Sequence, residues 1–203
     1  VSNADKLQAA EERLPEIMVP PYTDVSQEEW YYPAANALYW ADIMTGMDET
    51  TFGGGLPMCR AQFVTVLYRI AGCPETEYSG AFADVPENEW YAEAVEWANE
   101  NGIATGYSNG LFGPADDVNR EQMATMMWRM AKVQGVDTTV TTGLESFPDY
   151  TSVSDFAEEA MEWCFQNQII TGMGTDGSLN PQGWAMRAHC AAVVLRYLEN
   201  CFL

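Results

Sequence analysis

The same ordered set of residues occurs three times in this chain, and that recurrence restricts the fold to an assembly of three like units. Each copy opens on a short segment with an aspartate: Tyr22-Thr23-Asp24-Val25, Phe82-Ala83-Asp84-Val85 and Phe147-Pro148-Asp149-Tyr150. An aromatic follows at Trp30, Trp90 and Phe156, then a Thr-Gly pair ending at Gly46, Gly106 and Gly172. An arginine comes next, at Arg60, Arg120 and Arg187, and a second nine residues later, at Arg69, Arg129 and Arg196. Equivalent arginines are 60 and then 67 residues apart.

Each unit reads as two helices around a loop. Counting from the first aromatic, apolar residues fall at 0, +4, +7 and +8, for example Trp90, Ala94, Trp97 and Ala98. That is one helical face. Gly102 is placed to end this helix in a left-handed conformation, while Asp42 and Gln168 hold its place in the other units, so a uniform cap is not expected. The second helix starts at the first arginine, with a stripe at +3, +6, +7, +10 and +11, as in Phe63, Val66, Leu67, Ile70 and Ala71. Between the helices lie Gly- and Pro-rich loops, such as Gly106 to Pro114. Two helices bury too little to stand alone, so the units must pack together as an all-α body. The expected boundaries are 22–72, 82–131 and 147–198, joined by linkers at 73–81 and 132–146. Residues 1–21 form a leading segment, where Leu7, Ala10 and Leu14 suggest a short amphipathic helix ending near Pro15.

Composition narrows the function. The chain of 203 residues is 47% hydrophobic, enough for a packed core, and no apolar run reaches the length of a membrane helix. Nine basic side chains face 30 acidic ones, a formal charge of −21. A nucleic-acid partner is excluded, because phosphate binding needs a basic surface, and membrane insertion or a polybasic anchor is not expected. Five cysteines without C-x-x-C and a single histidine, His189, give no metal or cofactor signature. Nucleophile-elbow, zinc-protease and phosphate-loop motifs are absent, so no enzyme activity is expected. No export signal is visible at the start of the chain.

The pattern F-x-D-V, W-Y, G-Y-x-N-G-x-F-x-P and two arginines nine apart resembles the S-layer homology domain, most closely from Phe82 to Ala131. The resemblance implies a pseudo-three-fold cluster of repeats around a central helical bundle. It also implies an extracellular module that attaches exported proteins to the bacterial cell wall. Members of the family bind secondary cell-wall polysaccharide, often carrying ketal-linked pyruvate, in grooves between repeats. The chain departs from the family's T-R-A-E motif, with Cys59-Arg60-Ala61-Gln62, Asn119-Arg120-Glu121-Gln122 and Met186-Arg187-Ala188-His189. The alternative is a structural module that self-associates and has no glycan affinity.

Arg60, Arg120 and Arg187 stand in the opening turn of a helix, where the dipole disfavours a cation. A bound anion at each helix end accounts for them; a salt bridge to a neighbouring acid is the competing account. Arg120 is grouped with the capping residue Asn119 and with Gly106, Tyr107, Asn109 and Gly110 of its own loop, and its removal is expected to leave the fold intact. The second set, Arg69, Arg129 and Arg196, points to the opposite side of the helix and reads as structural. Asp24, Asp84 and Asp149 are read either as turn residues or as ligand contacts. Trp30, Trp90, Trp97 and Trp163 lie on the apolar stripes and read as core, as do Cys164, Cys190 and the methionines of the second repeat.

Overall fold

A computed structural model describes residues 19–173 and 175–203, so the helix expected around Leu7 to Leu14 lies outside the described residues. The described fold is all-α. Its helices are α1 (Tyr32–Trp40), α2 (Arg60–Ile70), α3 (Ala92–Glu100), α4 (Arg120–Val133), α5 (Glu158–Gln166) and α6 (Arg187–Phe202). Short 3-10 turns at Tyr150–Ser152 and Asp155–Ala157 lead into α5. Each repeat contributes one short outer helix (α1, α3, α5) and one longer inner helix (α2, α4, α6).

The inner helices begin at the three arginines, as the spacing predicts, and their stripes are buried. The first of them, α2, is buried almost all round, leaving only Gln62 and Arg69 outside the buried set. A helix of that kind belongs in a core. The outer helices begin two residues later than the periodicity suggested. Trp30 and Trp90 sit in the turn before the N-caps Tyr31 and Tyr91, and Phe156 sits in a 3-10 turn. Helical periodicity does not govern those positions, and the rings face outward, 57%, 63% and 57% exposed. The expected core placement holds for Trp97 and Trp163 but not for Trp30 or Trp90.

The outer helices end alike despite their different cap residues. Asp42, Gly102 and Gln168 all adopt left-handed backbone, at φ 56°, 67° and 57°. In each, the next residue's N–H bonds back to the start of the last turn: Ile43 to Leu38, Ile103 to Ala98 and Ile169 to Cys164. This is the Schellman arrangement, and the isoleucine covers its apolar side.

Packing runs from each repeat to the next. Inner helix α2 lies against α3, α4 against α5, and α6 returns to α1, so the three repeats close into a ring. Near the pseudo-three-fold axis the backbone repeats this circuit. Met58 N–H donates to Ala185 O (3.0 Å), Ala185 N–H to Val118 O (2.8 Å), and Val118 N–H to Met58 O (2.9 Å). All three residues are buried. The linkers are pinned: the fully buried Glu96 carboxylate accepts from Ser79 Oγ (2.6 Å), Gly80 N (3.0 Å) and Ala81 N (3.2 Å). Trp163 Nε1 donates to Asp137 O of the second linker (3.0 Å). Helix α4 runs to Val133, two residues into the stretch read as linker.

Candidate functional site in the grooves between repeats

Each loop is held from two sides. Within its repeat, the aspartate accepts two backbone N–H groups from the distal part of the loop. Asp24 binds Phe52 and Gly53 (both 2.8 Å), Asp84 binds Phe112 (2.9 Å) and Gly113 (2.8 Å), and Asp149 binds Leu179 (2.8 Å) and Asn180 (2.7 Å). Both carboxylate oxygens are therefore committed to shaping the loop, across 28 to 31 residues rather than across a local turn. Burial pushes the Asp84 carboxyl up, but the two N–H donors and the nearby Arg60 outweigh it and hold its pKa below the ordinary 3.8.

From the other side comes the first arginine of the preceding repeat. Arg60 Nε donates to Phe112 O (2.9 Å), Arg120 Nε to Leu179 O (2.8 Å) and Arg187 Nε to Phe52 O (2.8 Å). Arg120 Nη2 also reaches Thr171 O (3.2 Å), and Arg187 Nη2 reaches Thr45 O (2.7 Å). These side chains are 3–5% exposed. Burial lowers each pKa from the ordinary arginine value, without discharging a guanidinium. Among the described residues these five bonds end on backbone carbonyls. Asp84 and Asp116 act on Arg60 only through space.

The anion expected at the helix end meets an occupied backbone. The first two N–H groups of α2 donate to Asp116 O and Pro114 O, those of α4 to Gly183 O and Pro181 O, and those of α6 to Leu56 O and Gly54 O. In α4 the third N–H donates to Asn119 Oδ1 (2.8 Å), and Gln122 reaches back to Asn119 N (3.2 Å), completing a capping box. Gln62 serves α2 in the same way.

The grouping of Arg120 with its own loop is also corrected. Its guanidinium leaves for the third repeat's loop, and the one beside Tyr107 is Arg60, 4.7 Å above the ring. Asn109 and Gly110 form the exposed loop tip, where Asn109 Oδ1 accepts from Leu111 N (3.0 Å), away from the groove. Gly106 lies in the groove wall at φ 71°; a Cβ there would meet Phe82 Cε1 at 2.5 Å, so the close approach demands glycine.

The grooves themselves draw on all three repeats. The second, a cavity of about 280 Å³, is lined by the 103–107 loop, Gln122, Thr125, Met126 and Arg129 of α4, Arg60 from repeat 1 and Phe156 from repeat 3. The first, about 290 Å³, is lined by the 44–47 loop, Met58, Gln62, Thr65, Val66 and Arg69, together with Arg187 from repeat 3 and Trp90 from repeat 2. In the third repeat the equivalents meet as well: Trp30 lies over His189, and Arg196 is near enough to Arg120 to disfavour its charge. Of the second arginines, read as structural, Arg69 and Arg129 thus stand half-exposed in groove walls. Arg129 makes one long bond, Nη1 to Ile103 O (3.3 Å), and Arg69 one to Thr45 Oγ1 (3.5 Å). Sequence reasoning did not place these arginines or the exposed aromatics in the grooves. The recurrence of an aromatic at one template position was the available signal.

The S-layer homology domain matches residues 21–64, 81–124 and 146–183, more than half of the chain. An endoglucanase of Bacillus sp. (strain KSM-635) is 30% identical over 174 residues, 86% of this chain and 18% of the relative. A surface-layer 125 kDa protein of Lysinibacillus sphaericus is 27% identical over 169 residues, 82% of this chain and 14% of the relative. A cell surface protein of Thermoanaerobacter kivui is 30% identical over 122 residues, 58% of this chain and 16% of that protein. The chain therefore spans less than a fifth of each of these relatives.

Proposed function

This chain belongs to the S-layer homology domain family, whose members anchor surface proteins to the cell wall, and from that premise we propose that its grooves bind an anionic cell-wall polysaccharide. The polysaccharide's charge is a carboxylate such as that of a pyruvate ketal. In the second groove the carboxylate sits between Arg60 and Arg129, with the sugar over Gly106 and against Tyr107 and Phe156. In the first groove the corresponding set is Arg187, Arg69 and Trp90; in the third, Arg120, Arg196 and Trp30. Asp24, Asp84, Asp149, Asn109 and Gly110 shape the loops and do not touch the ligand.

One observation carries this reading. In a chain of 30 acids, six of the nine cations occupy the two template positions, and they meet in pairs in the grooves beside solvent-facing aromatic rings. Like charges brought together in this way are costly unless an anion joins them. Aromatic faces and guanidiniums are also the side chains that stack on sugars and grip carboxylates. Volumes near 300 Å³ lie at the lower end of ligand pockets, which suits a sugar ring with a charged substituent.

The test is calorimetric titration with purified wall polysaccharide before and after acid removal of its pyruvate. Binding that disappears with the ketal, and falls about ten-fold in Arg129→Ala and Trp90→Ala, supports the reading. Equal binding of both polymers, or none, overturns it; concentration-dependent oligomers without glycan binding would point to self-assembly instead.

A further inference from the structure

The third cluster carries an ionisable side chain where the other two grooves have glutamine. The third residue of the inner helix is Gln62 in α2 and Gln122 in α4, each closing a capping box; in α6 it is His189, the sole histidine of the chain. Trp30 covers the imidazole with ring centroids 5.4 Å apart and an interplanar angle of 31°. Nδ1 is enclosed and has no hydrogen-bond partner among the described residues.

The charges around the ring are predominantly positive. From α4, Arg120 acts on it directly. On α6, Arg196 stands seven residues along, on the same face, and Arg187 stands two residues back with its guanidinium directed to the first repeat's loop. On the turn before α1, Glu29 adjoins Trp30. From the third loop, Asp149 spends both oxygens on Leu179 and Asn180 N–H.

We propose that the third groove takes up a proton on His189 together with its anionic ligand, an inference that rests on the glycan reading above. With no ligand bound, an imidazolium beside Trp30 adds a third cation to Arg120 and Arg196. Burial and Arg120 accordingly hold the ring's pKa below its ordinary 6.5. A carboxylate docked between the two arginines supplies the missing charge and draws the pKa upward. By linkage, the factor by which the ligand favours the proton is the factor by which the proton favours the ligand. The third groove therefore tightens as pH falls through the ligand-bound pKa and levels off below the ligand-free one. The first two grooves, with glutamine in this place, stay flat.

Because His189 is the only histidine, its Cε1–Hε1 NMR signal reports this groove alone. The probe is a methyl glycoside bearing a pyruvate ketal, with the unsubstituted methyl glycoside as control. With the charged probe at saturation, the His189 titration midpoint should rise by about one pH unit, and third-groove affinity should improve about ten-fold between roughly pH 7.5 and pH 5. His189→Gln restores the residue of the other repeats and should abolish that pH dependence while leaving the melting temperature intact. If the probe binds but the His189 midpoint stays fixed, or if His189→Gln keeps the pH dependence, the proton-coupling inference is wrong and the glycan reading survives. If the probe perturbs no groove at all, both fail together.

Discussion

Replacing Arg120 by alanine measures how much an arginine proposed to meet the ligand also holds the fold. The substitution removes two hydrogen bonds from a cation, to Leu179 O at 2.8 Å and Thr171 O at 3.2 Å. It leaves Leu179, which is fully buried, without that donor. Bonds from a charged donor are worth about 1.5–3 kcal/mol each, and an orphaned buried carbonyl retains its desolvation cost. Relief of the repulsion from Arg196 and of the arginine's own burial offsets part of this. The net loss should be about 3–4 kcal/mol, or roughly 10 °C in melting temperature for a domain of this size. Arg129→Ala removes a half-exposed side chain with a single 3.3 Å bond and should cost less than about 1 kcal/mol. Calorimetric melts of both variants beside the parent decide the matter. If Arg120→Ala melts within about 2 °C of the parent, or if Arg129→Ala is the less stable of the two, the cyclic arginine clamps are not what holds the loops.

Other consequences are equally open to measurement. Asp42→Gly and Gln168→Gly should each stabilise by about 0.5–1 kcal/mol in urea melts, because both residues carry a Cβ in left-handed backbone; no gain at either site would refute the cap assignment. Asp84 has a depressed folded pKa, so its contribution is complete above its unfolded value and is lost as pH falls through the folded one. Asp84→Asn should therefore be less stable at neutral pH and should flatten the stability profile below about pH 4, and an unchanged acid limb would contradict that. Polysaccharide affinity should be nearly flat from low to physiological salt, since added ions screen the repulsion of a −21 protein as well as the local attraction; a steep decline would indicate a basic surface that is not there.

The repeat, the helix starts and most of the core were legible because they depend on local periodicity. Arg60, Arg120 and Arg187 announced three helices, and the stripes behind them are buried. Uniformity of the Asp42, Gly102 and Gln168 caps was not legible, because the tertiary contacts of the following isoleucines impose a conformation that the side chains would not choose. The site was legible as a list of residues but not as a set of groups. Nothing in the spacing says that a guanidinium serves the next repeat's loop, so Arg120 was placed beside Tyr107, where Arg60 stands. Trp30 and Trp90 were assigned to the interior because a helical phase was extended two residues too early.

The circular order of contacts bears on how the molecule is made. Helix α1 rests on α6, and Arg187 reaches back 135 and 142 residues to Phe52 and Thr45. Synthesis at roughly 5–20 residues per second leaves the first repeat without that partner for about 6 to 23 seconds. During that interval α1 lacks the helix it packs against among the described residues, and the first loop lacks its clamp. The last inner helix therefore acts as the closing step, and high sequence separation of this kind slows closure. A nascent chain halted anywhere before Arg187 should remain sensitive to protease, and resistance should appear abruptly once the final helix has emerged.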